Sequence, residues 1–351
     1  MLGMSFNYLF WLMMVFGTIF SISSLHWLGM WVGLELNLIG FLPILVCSKS
    51  MKESESGTKY FIVQAMGSSF LMFGSLILFS FTFSWEILNM LSFKYFLSSI
   101  VFLMSGLFMK IGMFPFHFWF PSVMSGLPWL SCLLLITWQK LAPIFLISVL
   151  MEIINVMWVL LMVCVMSSMS ALVGGFGGIN QSQIRSLLAY SSIGHMGWII
   201  LSLCQSCYNM KIYFFIYIVI SLCLFMVLWY NNIVLMLGMN SFVKHLFIDF
   251  SLILLFLSLG GLPPLLGFIA KLNVFISIFD LYMYWFILLL ILGSIMSLFY
   301  YLSLLFVFFI NVFNKITYKE IFKSYNMISL VLFINFLGGL MMLMFDFFEF
   351  I

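Results

Sequence analysis

Five titratable residues lie deep inside long apolar stretches of the sequence, where ionisable side chains are costly. They are Glu35, Lys110, Lys140, His195 and Lys271. Buried amines, carboxylates and imidazoles can take up or release a proton when a neighbouring charge moves, so these residue types predict a proton relay. Because Glu35 is the only acid in the set, we expect it to pair with one lysine, Lys110.

The rest of the composition indicates what kind of element must hold these residues. The 351 residues include only 13 Lys and Arg and 10 Asp and Glu, while 65% are hydrophobic. An ordinary soluble domain has about 25% charged residues and roughly 45–50% apolar ones. A soluble fold of this length cannot hide so much apolar surface, so a water-soluble enzyme is excluded and a polytopic membrane protein is predicted.

Long apolar runs predict an all-α fold with about eleven transmembrane helices, since roughly 20 apolar residues cross a bilayer as a helix. The runs are 3–24, 26–47, 59–82, 95–125, 129–150, 154–175, 183–206, 210–232, 246–278, 282–311 and 326–348. The fourth and ninth are too long for straight spans, and each contains proline: Pro115 follows Lys110, and Pro264 precedes Lys271. We expect both helices to break at the prolines, either as part of a transport site or as packing kinks.

The five titratable residues are predicted to share one depth in the membrane. Glu35, Lys110, Lys140 and His195 each lie at or beside the midpoint of a predicted helix, and Lys271 lies just past the break in the ninth. Without partners, the four charges of Glu35, Lys110, Lys140 and Lys271 would cost on the order of 10–14 kcal/mol, which rivals the stability of a whole domain. A function as a row of proton-exchanging groups would explain why the chain keeps these charges despite their cost. A purely structural Glu35–Lys110 pair and a packing role for His195 are the alternatives.

An uneven distribution of basic residues predicts the orientation. With eleven spans, the side that holds the N-terminus carries eight basic residues: Lys49, Lys52, Lys59, Arg185, Lys244, Lys315, Lys319 and Lys323. The opposite side carries only Lys94 and Lys211. By the positive-inside rule the N-terminus faces the cytoplasm, or the matrix of a mitochondrion.

The connections between the helices are too short to form a further domain. The longest, 231–245 and 312–325, could not fold alone, so we expect no site for a nucleotide or a flavin. Cys204 and Cys207 form a single CxxC with no nearby His or second CxxC, so no redox cofactor site is predicted in this chain. The glycine-rich residues 174–178 follow a membrane helix and are predicted to form a tight turn.

Around the five titratable residues the sequence resembles a known family. The stretches WVGLELNLIGFLPIL, MKIGMFPFHFWFPSVM, TWQKLAPIFLIS, SLLAYSSIGHMGWII and LSLGGLPPLLGFIAKLNVF cover most of residues 25–275 in the expected order. They resemble the antiporter-like membrane-arm subunits of mitochondrial NADH–ubiquinone oxidoreductase (respiratory complex I). Outside these stretches the match is mainly in hydropathy, and eleven spans fit the animal form, which is shortened at its N-terminus.

This resemblance implies a single membrane domain over 1–351 that contains two inverted five-helix repeats, each with one broken helix. The approximate repeat regions are 59–232 and 183–311, followed by a C-terminal helix at 326–348. The resemblance further implies a charge pair of Glu35 and Lys110, a central relay of Lys140 and His195, and a terminal site at Lys271. These residues would translocate protons in response to redox chemistry in other subunits.

The resemblance also implies cofactors, partners and location. NADH, FMN, iron–sulfur clusters and ubiquinone would bind in partner subunits, and none in this chain. The chain would contact other membrane-arm subunits, including further antiporter-like chains, and membrane lipids, but no nucleic acid. It would lie in the mitochondrial inner membrane, with its N-terminus in the matrix and its C-terminus in the intermembrane space.

Three points stay open at the level of the sequence. A cation/proton antiporter subunit without redox input would need the same buried charges. A scaffold subunit would use those charges only to hold neighbouring chains. His117 lies in the predicted break of the fourth helix, where it either helps to connect the row to the matrix side or packs at the interface.

Overall fold

The structure, a computed structural model, describes residues 2–47, 50–87, 97–153, 156–231, 246–263, 265–278 and 284–315. These ranges are almost entirely helical, and the helices begin and end as follows: α1 (Leu2–Ser23), α2 (Trp27–Leu45), α3 (Met51–Thr82), α4 (Leu97–Ile111), α5 (Trp119–Gly126), α6 (Trp129–Ile136), α7 (Trp138–Ile153), α8 (Met157–Gly178), α9 (Ile184–Leu203), α10 (Cys207–Asn231), α11 (Leu246–Gly260), α12 (Leu266–Ile278) and α13 (Tyr284–Lys315). An isolated β-bridge joins His26 to Glu86.

The helices confirm the all-α membrane class. Seven helical segments of the described chain are long and apolar enough to cross a membrane, and shorter apolar helices accompany them. Ten of the eleven predicted runs coincide with helices, three of them as pairs: α4 with α5, α6 with α7, and α11 with α12. The predicted span 326–348 lies outside the described residues. The chain is therefore a multi-pass membrane protein.

The third helix begins earlier than the sequence predicts, at Met51 rather than at residue 59. The hydroxyl of Ser50 accepts a hydrogen bond from the N–H of Glu53, which is the capping arrangement of an S-x-x-E sequence. At ~1.5 Å per residue the 32 residues of α3 extend over ~48 Å, well beyond a bilayer core of about 30 Å. The polar first turns of α3 can therefore project from the membrane.

The break in the fourth predicted helix is confirmed, but a glycine and not a proline ends α4. Gly112 has a φ of 79°, and the N–H groups of Gly112 and Met113 both donate to the carbonyl of Phe108. This is a Schellman-type cap, in which a residue without a Cβ adopts the left-handed conformation. Pro115 lies three residues beyond Gly112, so it prevents the helix from resuming.

The ninth predicted helix breaks in the same way. Gly261 has a φ of 78°, and the N–H groups of Gly261 and Leu262 donate to the carbonyl of Leu257. The chain resumes as α12 at Leu266, and Pro264 itself lies outside the described residues. The two breaks thus have the same backbone form.

One local prediction is confirmed with a difference, and another was wrong. The run 129–150 forms one apolar helical segment, Trp129–Ile153, that is long enough to cross a membrane, but this segment is interrupted at Thr137, between the end of α6 and the start of α7. No glycine or proline marks position 137, so the sequence carried no breaker signal there. Residues 174–178 do not form a turn but complete α8, where Gly174 allows a close helix contact: a Cβ there would lie 2.5 Å from the N of Gly194 on α9.

The chain divides into two compact units, Met1–Met166 and Ser167–Ile351. In the first, α1 packs along α2, α3 packs against α4 and α5, and α7 contacts α1, α4 and α6. In the second, α9 contacts α10, α12 and α13, while α11 contacts α10, α12 and α13. The repeat regions 59–232 and 183–311 have other boundaries than these units and stay predictions.

Candidate proton-relay sites

In the first unit, Glu35 and Lys110 lie on α2 and α4. Glu35 is half-buried, and Lys110 is only 6% exposed. The side-chain amide of Gln64 donates to the backbone carbonyl of Lys110 at 3.3 Å, and Gly67 lies against the lysine side chain. Lys110 occupies the last turn of α4, where the negative end of the helix dipole stabilises an ammonium group.

The predicted pairing of Glu35 with Lys110 is not a salt bridge in this structure. The Glu35 carboxylate therefore lies farther than 4.0 Å from the Lys110 ammonium. An ion pair within 4.0 Å does join Lys59 to Glu55, on the exposed start of α3. The buried Oε1 of Glu35 accepts no hydrogen bond from the described part of the chain. The carbonyl end of α4 therefore stabilises the charge of Lys110, whereas the sequence predicted that Glu35 alone would do so.

Lys140 is more deeply buried than Lys110 and Lys271, with 1% of its surface exposed. It lies in the first turn of α7, directly after the interruption at Thr137. Its Nζ lies 4.5 Å from the centre of the Phe120 ring, and it donates no hydrogen bond to the described residues. Because the positive end of the α7 dipole faces this turn, the helix does not stabilise the ammonium as α4 stabilises Lys110.

A buried network of amides holds α2 to the start of α7. The side-chain amide of Asn37 donates to Oε1 of Gln139 at 2.9 Å, and that of Gln139 donates to Oδ1 of Asn37 at 3.0 Å. The hydroxyl of Tyr60 also donates to Gln139 Oε1, at 3.3 Å. Gln139 precedes Lys140, so the network fixes the turn that presents the lysine. Asn37 and Gln139 are not among the predicted site residues; their positions in apolar runs beside Glu35 and Lys140 indicated burial but not that the two amides meet.

In the second unit, His195 is 9% exposed on α9. Its Nδ1 shares a hydrogen bond of 3.1 Å with the hydroxyl of Tyr213, and its ring packs 5.2 Å from that of Tyr217. Both tyrosines lie on α10, so the imidazole bridges two helices. Hydrogen bonding and packing are therefore present at His195, and they leave a relay role open because a phenol can exchange a proton with an imidazole.

Lys271 reaches back to the break that precedes α12. Its Nζ donates to the carbonyl of Gly260 at 2.9 Å, at the C-terminal end of α11. A Cβ on the neighbouring Gly261 would lie 2.9 Å from this Nζ, so the glycine also leaves room for the amine. The carbonyl end of a half-helix thus stabilises the ammonium of Lys271, as it does for Lys110.

A cavity in the second unit brings His195 and Lys271 onto one surface. It is small and partly open, and it is lined by Ala171, Gly175, Ser191, Gly194, His195, Trp198, Lys271, Gly293, Ser294 and Ser297. Hydroxyls and two ionisable side chains on a cavity wall are the groups that hold bridging water. Proton exchange between the imidazole and the amine is therefore chemically feasible within this unit.

Two further features of the described chain bear on the site. His117 lies buried in the α4–α5 connection, with its ring against those of Phe114 and Phe118, so it packs within the break. In the described ranges, no three His, Cys, Asp or Glu side chains come together as they would around a metal ion. The prediction that all five titratable groups form one row involves both units and stays a prediction.

The chain is similar to known proteins over most of its length. A chain 2 of NADH-ubiquinone oxidoreductase from Anopheles gambiae is 37% identical over 348 residues, covering 96% of each chain. A chain of respiratory complex I from Thermus thermophilus has the same fold, with a TM-score of 0.78 and 24% identity over 96% of this chain and 79% of that one. A chain of the Mrp complex from a Dietzia species gives a TM-score of 0.76 and 18% identity, over 84% and 58%.

A family model covers most of the chain. Residues 24–299 match the family described as NADH:quinone oxidoreductase/Mrp antiporter, TM, and this range contains all five titratable residues. Both breaks, Gly112 and Gly261, also lie within it. The chain belongs to the NADH:quinone oxidoreductase/Mrp antiporter transmembrane family.

Proposed function

We propose that this chain is a proton-translocating membrane-arm subunit of NADH:ubiquinone oxidoreductase. The observation that carries the proposal is the position of the three lysines: Lys110, Lys140 and Lys271 each present their side chain at a helix interruption inside the membrane. Backbone that departs from a helix at membrane depth is tolerated only where it is buried in protein or lines a water-filled cavity. The relative from Anopheles gambiae, which carries the name of chain 2 of this oxidoreductase, supports the same assignment.

In the proposed mechanism, redox energy released in other subunits changes the interaction of Glu35 with Lys110. A lysine whose charge changes alters the electrostatic environment of the next, so Lys140 takes up or releases a proton in turn. His195 receives this change and exchanges its proton with Lys271 through the polar cavity of the second unit. The five residues hold and pass protons, and they carry out no redox step themselves.

The cofactors, partners and location follow from the same proposal. NADH, FMN, iron–sulfur clusters and ubiquinone would bind in partner subunits, since the predicted connections of this chain are too short to enclose them. Neighbouring antiporter-like subunits and lipids would cover its apolar faces, such as the exposed Leu12, Phe16 and Ile19 on α1. We place the chain in the mitochondrial inner membrane with its N-terminus in the matrix.

The test replaces Lys140 by Met in the full chain and measures protons translocated per NADH oxidised, in coupled inner-membrane vesicles. We expect the complex to assemble, as seen by in-gel NADH oxidation after native electrophoresis, while coupled turnover falls at least several-fold. Lys59→Met is the matched control, because that lysine is exposed at the start of α3. A normal proton-to-electron ratio in Lys140→Met would overturn the proposal.

Two measurements distinguish a cation/proton antiporter subunit from a subunit of the oxidoreductase. The Mrp neighbour shares the fold at 18% identity, so it does not select between the two functions. Migration of this chain with a large NADH-oxidising band supports the oxidoreductase. Migration without that activity, together with sodium-dependent proton transport, supports a cation/proton antiporter subunit instead.

A further inference from the structure

Phe120 occupies an unusual position between the first two lysine sites. It lies in the first turn of α5, is 1% exposed, and presents the face of its ring to Lys140 with Nζ 4.5 Å from the ring centre. The negative face of an aromatic ring attracts a cation within about 6 Å, and more strongly where water is excluded. The ring therefore favours the charged form of Lys140.

The same ring also packs against the break that follows Lys110. A Cβ on Gly112 would lie 3.2 Å from Cδ2 of Phe120 and 3.3 Å from its Cβ, so the glycine backbone is in close contact with the aromatic side chain. Gly112 is the left-handed residue that ends α4, two residues after Lys110. Phe120 thus contacts the end of the helix that carries one lysine and the ammonium group of the other.

Neighbouring aromatic rings restrict how Phe120 can move. Its ring makes an edge contact with that of Trp119, with the centroids 5.3 Å apart, and Trp119 packs 5.8 Å from Tyr60. Tyr60 donates to Gln139, next to Lys140. The ring is therefore held in register with the turn that presents the lysine.

We propose that Phe120 is a positioning residue that couples the α4 break to the charge on Lys140. A change in the backbone at Gly112 would move the ring relative to the ammonium and so change how strongly the charged form is favoured. This inference rests on the proposed proton-relay function and names the contact through which the first lysine site acts on the second. A cation–π contact of this kind corresponds to roughly a two-fold to thirty-fold change in the ratio of charged to neutral lysine.

The test compares three variants of the full chain in the intact oxidoreductase. Phe120→Leu removes the π face, Phe120→Tyr keeps it, and Phe225→Leu removes a comparably buried ring from α10, in the second unit. The readouts are protons translocated per NADH oxidised and the amount of assembled complex. We expect Phe120→Leu to lower coupled turnover about two-fold or more at normal assembly, while Phe120→Tyr and Phe225→Leu stay near the unsubstituted protein.

The outcomes separate this inference from the function on which it rests. A normal proton-to-electron ratio and turnover in Phe120→Leu overturn the coupling role of the ring. An equal loss in Phe120→Leu and Phe120→Tyr also overturns it, because packing and not the π face would then be responsible. If Lys140→Met pumps normally, the proposed function itself fails; if Lys140→Met fails to pump while Phe120→Leu is normal, only the present inference fails.

Discussion

At the scale of single residues, buried polar side chains of the first unit form hydrogen bonds with partners that are far away in the sequence. Asn37 and Gln139 are 102 positions apart, yet their amides form two reciprocal hydrogen bonds inside an apolar unit. The sequence identified Glu35 and Lys140 as buried charges, because a charge in an apolar run is conspicuous. It could not identify which neutral amides meet beside them, since that depends on how α2 packs on α7.

The amide pair leads to a non-additive prediction. Gln139→Leu leaves the Asn37 amide buried without its partner, which costs about 1–3 kcal/mol, and Asn37→Leu should do the same. The double variant removes both polar groups, so we expect it to be more stable than either single variant. The temperature at which the assembled complex loses activity measures this. Additive losses in the double variant would show that the two amides act independently.

At the scale of the secondary-structure elements, the sequence predicted that two helices break but not how they break. Proline was the visible signal, whereas the backbone ends α4 and α11 at the glycines that precede the prolines. The interruption at Thr137 had no breaker at all in the sequence. Position 137 shows that helix continuity inside a packed membrane protein is also decided by tertiary contacts, which the local sequence does not contain.

The glycine break before α12 predicts different effects for two adjacent substitutions. Gly261→Ala places a Cβ on a left-handed residue and 2.9 Å from Lys271 Nζ, so we expect a cost of roughly 1–3 kcal/mol and displacement of the amine. Gly260→Ala meets only an ordinary contact, 3.5 Å from the Tyr301 ring. The temperature of thermal inactivation and the rate of coupled proton translocation should therefore fall in the first variant and hardly change in the second. Equal losses of stability and proton translocation in the two variants would contradict the prediction that the left-handed glycine of the break positions Lys271.

At the scale of the whole molecule, hydropathy and length were sufficient to predict the membrane class, because about 20 apolar residues per span is a physical requirement. The described helices confirm ten predicted runs. Counting spans also relates the connections to the N-terminus, which we place in the matrix. Because α1 and α2 are two spans, they return the chain to the side of its N-terminus. The connection between α2 and α3 should therefore face the matrix.

Cys47, which is exposed in that connection, makes the orientation measurable. A membrane-impermeant maleimide should label it in inverted inner-membrane vesicles and not in mitoplasts with an intact inner membrane. Partial burial and the nearby Glu53 carboxylate raise the pKa of the Cys47 thiol. Because the thiolate is the reactive form, labelling should be slow at neutral pH and accelerate as the pH rises through the raised pKa. Glu53→Gln should increase the labelling rate of Cys47 at a fixed pH. Labelling of Cys47 in mitoplasts would contradict the proposed orientation.

The close contact between α8 and α9 has a consequence for how this gene can vary. Every single-base change that replaces a glycine codon by that of another amino acid adds a Cβ, and at Gly174 that atom would lie 2.5 Å from the backbone of Gly194. A Cβ at Gly194 meets nothing nearer than 3.9 Å. Two glycines that face each other thus differ in the mutations they tolerate, so inherited missense changes should be purged at one codon and can persist as neutral alanine polymorphism at the other.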